Sequence, residues 1–209
     1  MAEPSATVYV VDDEADMLKA LERLLGAAGY SVRTFASPEQ FLAQHDDTAP
    51  GCIVLDLALP GLNGLELQQA LQAQGSALPI VFLTGRGDIA ASVRAMKLGA
   101  ADFLTKPVDA RELIAAVNAA LERNREQRAD RADKHLVASR LAALTARERE
   151  IFGLIAQGWL NKQIAAEFGT VEQTIKFHRA NLMRKLGVRT VADLVRLAER
   201  AGTGKPHTG

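Results

Sequence analysis

Cys52-Ile53-Val54-Leu55-Asp56 is a short apolar run that ends on a carboxylate, and its reading decides the fold. Four other runs have the same strand-like size and apolar or β-branched character: Thr7–Val11, Ser31–Phe35, Ile80–Thr84 and Ala101–Thr105. Between them the apolar spacing is helical, as in Met17, Leu18, Leu21, Leu24 and Leu25, which fall along one stripe. Ser37-Pro38-Glu39-Gln40 reads as a capping box with proline at N1, and Asn63 with Glu66 as a second box. Parallel neighbours need crossover connections, so five β/α pairs predict a parallel sheet with helices on both faces. Its ligands should lie at the strands' carboxyl ends.

The 209 residues suffice for one large domain or two small ones. With 48% hydrophobic and 24% charged residues, collagen-like, disordered and strongly acidic classes are excluded. No apolar run has membrane-span length, and MAEPSATVYVV lacks a basic region followed by an apolar one, so a cytoplasmic protein is expected. The single cysteine, Cys52, excludes an internal disulfide and reads as inert core. The zero net charge conceals an asymmetry: residues 1–121 carry 8 Lys/Arg against 15 Asp/Glu, and residues 122–209 carry 17 against 10. Two modules with different partners follow, the basic one suited to nucleic acid.

Residues 1–121 are expected to form the α/β domain. Residues 122–140 follow as a solvated linker, in which Glu122–Lys134 holds nine charged residues in thirteen without glycine or proline; a helix continuing the preceding one is expected. Residues 141–201 hold three or four helical patterns broken at Gly158, Gly169 and Gly187, hence a small all-α domain; residues 202–209 are a fraying tail. Thr145-Ala146-Arg147-Glu148 opens its first helix with a capping box.

Asp12-Asp13, Asp56, Thr84 and Lys106-Pro107 all end strand-like runs and so share one sheet edge. Three carboxylates brought together repel and lose solvation unless a cation joins them, which suits a hard, oxygen-preferring metal such as Mg2+. A hydroxyl and an ammonium beside the metal can hold phosphoryl oxygens, with Asp56 as nucleophile. Asp12 or Asp13 could equally cap the first helix, Asn63 reads as a cap, and Phe103 is either core or functional. His45, His135, His178 and His207 lack metal-ligand spacing.

Val10-Val11-Asp12-Asp13-Glu14, Leu55–Gly64, Leu83-Thr84-Gly85 and Phe103-Leu104-Thr105-Lys106-Pro107, in this order over residues 5–122, resemble the receiver domain of two-component response regulators. The resemblance implies a flavodoxin-like strand order 2-1-3-4-5. It implies that Asp56 accepts phosphate from a sensor histidine kinase, and that Asp13, Asp56 and the Ala58 carbonyl hold Mg2+ with Asp12 acting through water. It further implies that Lys106 and Thr84 bind phosphoryl oxygens, that Phe103 turns inward as a switch, and that the Lys106–Pro107 bond is cis. Phe103 lacks the hydroxyl of the tyrosine often found there.

In the basic half, Ala146–Gln157, Asn161–Phe168 and Val171–Leu186 predict three helices, the last two suited to a helix-turn-helix. Ile175, Leu182 and Leu186 form an apolar stripe on the third; Gln173, Lys176, Phe177, Ala180 and Arg184 form another, roughly 200° away. That presented face, flanked by Arg179 and Lys185, offers base-edge donors and phosphate contacts. Leu144–Glu148, Gly158–Ala165 and Thr174–Arg189 resemble the LuxR-type output domain, and the whole chain resembles NarL/FixJ-family regulators. By position, the resemblance places Lys176, Phe177 and Ala180 at bases, and Asn161, Lys162, Arg179 and Arg184 at phosphates. Leu160 and Val171 stand where the family usually has Ser or Thr, and Ser; Thr170 with Gln173 reads as a substitute capping box. Phe177 either meets a thymine methyl or packs on its own neighbours, and His178 reads as structural.

The expected function is a phosphorylation-controlled, sequence-specific transcription regulator rather than an enzyme. Its implied partners are the kinase, promoter DNA with paired half-sites, a second copy of the chain after phosphorylation, and RNA polymerase, without membrane. A magnesium-dependent aspartyl-phosphate phosphatase would need an acid two residues after Asp56, where Ala58 stands. A receiver whose basic domain binds RNA or protein is the third reading.

Overall fold

The computed structural model describes residues 6–85 and 89–201; the tail at 202–209, including His207, lies outside the described residues. The first half alternates β1 (Thr7–Val11), α1 (Ala15–Ala27), β2 (Ser31–Phe35), α2 (Pro38–Gln44), β3 (Gly51–Asp56), α3 (Gly64–Ala73), β4 (Ile80–Thr84), α4 (Ile89–Lys97) and β5 (Asp102–Thr105). The strands form one parallel sheet in the order β2-β1-β3-β4-β5, as expected. β1 and β3 lie inside it and are buried on both faces. Their alternate residues therefore enter separate cores: Tyr9, Val11, Ile53 and Leu55 on one side, Val8, Val10, Cys52 and Val54 on the other. Cys52 is fully buried, and burial pushes its thiol up to about 12, which fits an inert core position.

Helix starts follow local chemistry. Asn63 and Glu66 exchange a complete capping box, with Asn63 Oδ1 accepting from Glu66 N at 3.0 Å and Glu66 Oε2 from Asn63 N at 2.9 Å. The Ser37 box forms by half: Ser37 Oγ accepts from Gln40 N at 3.3 Å, but the Gln40 side chain reaches Ala36 N instead of Ser37 N. Gly64, at the start of α3, admits no side chain, because a Cβ there would lie 2.7 Å from the Asp56 carbonyl oxygen. This close approach seats α3 against the end of β3.

α5 (Ala110–Ala142) runs unbroken for 33 residues, so the charged stretch is helical. The boundary between the chain's two compact units falls within it, at Arg128/Ala129. Its first part is less solvated than the charge pattern suggests. Asn124 is buried, accepting from Gly51 N at 3.1 Å and donating to Ala77 O at 2.8 Å, while the Arg128 guanidinium donates to the carbonyls of Asp47, Thr48 and Ala49.

The second unit adds α6 (Ala146–Ala156), α7 (Asn161–Glu167), α8 (Glu172–Leu186) and α9 (Val191–Arg200) around Ile151, Phe152, Ile155, Ile164, Ile175, Leu182, Leu186 and Leu194. The Thr145 capping box forms as read. The Thr170–Gln173 box does not: α8 starts one residue later, with Val171 at a cap position that has no side-chain acceptor. Gly187 ends α8 in the left-handed region, φ 67°, and its N–H and that of Val188 return to Arg184 O and Met183 O.

Removing the Asn124 amide would leave one buried donor, Gly51 N, and one half-buried acceptor, Ala77 O, without that partner. Asn124→Ala should cost about 2–4 kcal/mol. In urea the circular-dichroism transition should move to lower concentration. The fluorescence transition of Trp159, the single tryptophan, reports the other unit and should stay in place.

Candidate functional site: an acidic pocket and a basic helix face

β1 and β3 are hydrogen-bonded neighbours, and β5 lies beyond β4, so the residues ending β1, β3 and β5 meet at one edge. Asp12, Asp13 and Asp56 each bring a carboxylate oxygen within 4.8 Å of the others; Asp12 and Asp56 are buried, Asp13 exposed. Lys106 enters between the buried pair, its Nζ 2.8 Å from Asp12 Oδ2 and 2.8 Å from Asp56 Oδ2. The Lys106–Pro107 bond is cis. Glu14, which the sequence reading leaves without a role, adds a third carboxylate 3.3 Å from the same ammonium. Its signal was only its adjacency to the acid pair.

Burial pushes the Asp12 carboxyl above its ordinary range, against hydrogen bonds from Lys106 and from Glu14 N, the latter at 2.9 Å. Burial alone would lower the Lys106 ammonium, but hydrogen bonds and charges of Asp12 and Asp56 together outweigh it and hold it above the usual lysine range. The lysine is thus charged, and it is the counter-ion of a cluster with excess negative charge. Three clustered carboxylates are an oxygen donor set of the kind a hard divalent cation takes, so the residues fit Mg2+.

Thr84 is buried at the end of β4, its hydroxyl donating to Gly85 O at 3.2 Å. Phe103 pairs with Phe82 in the sheet register and packs, partly buried, on the core containing Ala91 and Ala95. Ala58 is exposed, and its N–H donates to Asp56 Oδ1 at 3.2 Å. Asn63 is the cap described above.

In the helical unit, Ile175, Leu182 and Leu186 are fully buried, while Gln173, Lys176, Phe177, Ala180 and Arg184 are all exposed, so α8 has the two faces read from its sequence. Phe177 is 64% exposed and makes an edge contact to half-buried His178, centroids 6.0 Å apart. Lys176 lies 3.4 Å from Glu172 and Arg184 Nη2 lies 3.2 Å from Asn181 Oδ1, both within α8. Lys162 is exposed beside Asn161 at the start of α7. Arg179 reaches across to α7, donating to Asn161 Oδ1 at 2.9 Å. Lys185, read as flanking the presented face, instead pairs inward with buried Glu148 at 2.6 Å.

Among proteins that carry such an acidic edge on a doubly wound parallel sheet, a separate helix-turn-helix unit marks the class in which a receiver controls an output domain. Residues 8–118 match the family described as Response regulator receiver domain, and residues 142–198 match Bacterial regulatory proteins, luxR family. The chain belongs to the NarL/FixJ-type response regulators, transcription regulators that join a receiver to a LuxR-type DNA-binding domain. It is 41% identical to Nodulation protein W of Bradyrhizobium diazoefficiens over 207 residues, 99% of this chain and 91% of that protein. It is 42% identical to the transcriptional regulatory protein FixJ of the same organism over 196 residues, 93% of this chain and 95% of that one. The solved structure of response regulator StyR matches with a TM-score of 0.88 at 43% identity, covering 94% of this chain and 99% of its own. No helix among the described residues is long and apolar enough to cross a membrane.

Glu148 supplies a pH test. The Lys185 ammonium and the Thr145 backbone N–H hold its carboxyl below the ordinary glutamate value of 4.5, so its stabilisation is present above that value and is lost as the pH falls through the lower, folded value. Glu148→Gln should cost about 1–3 kcal/mol at pH 7, read from Trp159 fluorescence in urea. The deficit should shrink once the pH falls below the glutamate range.

Proposed function

We propose that Asp56 is the phosphoacceptor and that its phosphorylation by a sensor histidine kinase promotes pairing of the chain on promoter DNA. The observation that carries the reading is Lys106 Nζ at 2.8 Å from both Asp12 and Asp56. It puts a permanent cation beside the one buried carboxylate that ends the central strand β3. A carboxylate oxygen of Asp56 attacks phosphorus, the bond to the donor group breaks, and an acyl phosphate remains. Lys106 then exchanges a carboxylate for phosphoryl oxygen, and the Thr84 hydroxyl turns from Gly85 to another. Asp13, Asp56 and the Ala58 carbonyl would hold Mg2+, with Asp12 acting through water; when bound, the ion supplies positive charge against the transferring group.

Movement of Thr84 and Phe103 then alters the receiver surface near α4, β5 and α5 so that two receivers (residues 1–121) pair. Pairing tethers two DNA-binding domains (residues 141–201) through their linkers (residues 122–140), which raises affinity for two half-sites through effective concentration. Lys176, Phe177 and Ala180 meet base edges, with Phe177 against a thymine methyl; Gln173 adds a further donor. Asn161, Lys162, Arg179 and Arg184 meet phosphates. RNA polymerase is the downstream partner, and the protein acts in the cytoplasm.

Acetyl phosphate with Mg2+ should add one phosphoryl group to the wild-type chain and convert it to a dimer in sedimentation. Asp56→Asn should take up none and stay monomeric; equal labelling of this variant in intact-mass spectra would refute the assignment. On DNA, Lys176→Ala should weaken binding to a selected operator by about 1–3 kcal/mol if Lys176 reads a base edge. An equal loss on a random duplex would make Lys176 a phosphate contact.

A further inference from the structure

The basic residues around α8 fall into two groups by what holds them. Lys176 has Glu172 at 3.4 Å and Lys185 has Glu148 at 2.6 Å, so each ammonium is already paired with a carboxylate. Arg179 differs. It is half-buried, between fully buried Ile175 and Leu182 along α8, and its guanidinium is fixed by the side-chain oxygen of Asn161, the first residue of α7, at 2.9 Å. The partner is a neutral amide, and among the described residues no carboxylate forms an ion pair with Arg179. The side chain is therefore oriented without being neutralised. A guanidinium bound at one N–H keeps the rest of its donor fork, and an asparagine that accepts through Oδ1 keeps two amide donors.

We propose that Asn161 and Arg179 form one composite site for a single DNA phosphate, in which Asn161 positions Arg179 and shares the same phosphodiester. This rests on the DNA-binding reading above and goes beyond it, because two residues taken separately as phosphate contacts become one unit spanning both helices of the helix-turn-helix. The site suits a tetrahedral anion approached from two sides. Holding the guanidinium in advance also spares the entropy of ordering a long side chain at binding.

The test is a double-mutant cycle in the full-length chain, titrated against a fluorescent 40-base-pair duplex of mixed sequence at several salt concentrations. Each phosphate neutralised contributes about 0.9 to the slope of log K against log salt. Arg179→Ala should reduce that slope by about one contact. Asn161→Ala should weaken binding by a smaller factor, and the double variant should bind more weakly than Arg179→Ala alone but by clearly less than the product of the two single losses. Multiplicative losses would mean two independent contacts and would overturn the proposal. Asn161→Asp keeps an acceptor for Arg179 but brings negative charge to the anion, so it should bind more weakly than Asn161→Ala. Wild-type affinity in Asn161→Asp would likewise overturn the shared site. A wild-type chain with no salt-dependent binding to the duplex would instead defeat the DNA-binding reading itself. Unchanged Trp159 unfolding transitions confirm that the variants fold.

Discussion

One ammonium between two buried carboxylates sets the terms for the first half of the molecule. Asp12 and Asp56 are taken out of water by the sheet that aligns them, and Lys106 is the cation that pairs with both. Residues 12, 56 and 106 are brought together only if β1, β3 and β5 all run the same way and end at the same level, which the parallel register secures. The arrangement leaves excess negative charge, with Asp13 and Glu14 at its mouth. Such a centre is held by the fold against its own repulsion, and an incoming cation or a change in the charge of Asp56 must alter the balance around Lys106.

The helical unit uses charge differently. Its carboxylates serve the fold: Glu148 ties the start of α6 to the end of α8, and Arg140 donates to the Leu186 carbonyl at 3.0 Å near the same helix end. The cations left on the presented face are exposed, and an exposed pair such as Lys176–Glu172 contributes little to stability. Orientation then matters more than charge, and the neutral bond from Asn161 to half-buried Arg179, beside that face, orients its guanidinium across two helices.

The strands and the acidic edge were legible because a parallel sheet demands short apolar runs, and because chemically costly residues stood at their ends; the strand order came only from the family resemblance. Helix starts were legible where both halves of a box lay within four residues, as at Asn63 and Thr145. They misled at Thr170, where Val171 takes the cap position instead. What could not be read was long-range polar pairing. Asn124 looked like one more polar residue in a charged helix, yet it satisfies two distant backbone groups, one at the start of β3 and one just before β4. Lys185 looked presented, since helical spacing cannot reveal that Glu148, 37 positions earlier, waits beneath it. The same limit hid the link between Asn161 and Arg179, 18 residues apart.

The middle of α5 is a different kind of structure from its two ends. Residues 129–136 are all exposed, so little apolar burial supports this part of the helix. Its backbone persists through helix propensity and continuity with the packed turns on either side. Local opening there needs far less free energy than unfolding either unit, because it exposes almost no new apolar surface. This stretch is therefore a thermodynamic fuse: each unit can melt, or be exchanged for a homologous one in evolution, without demanding repacking of the other's core.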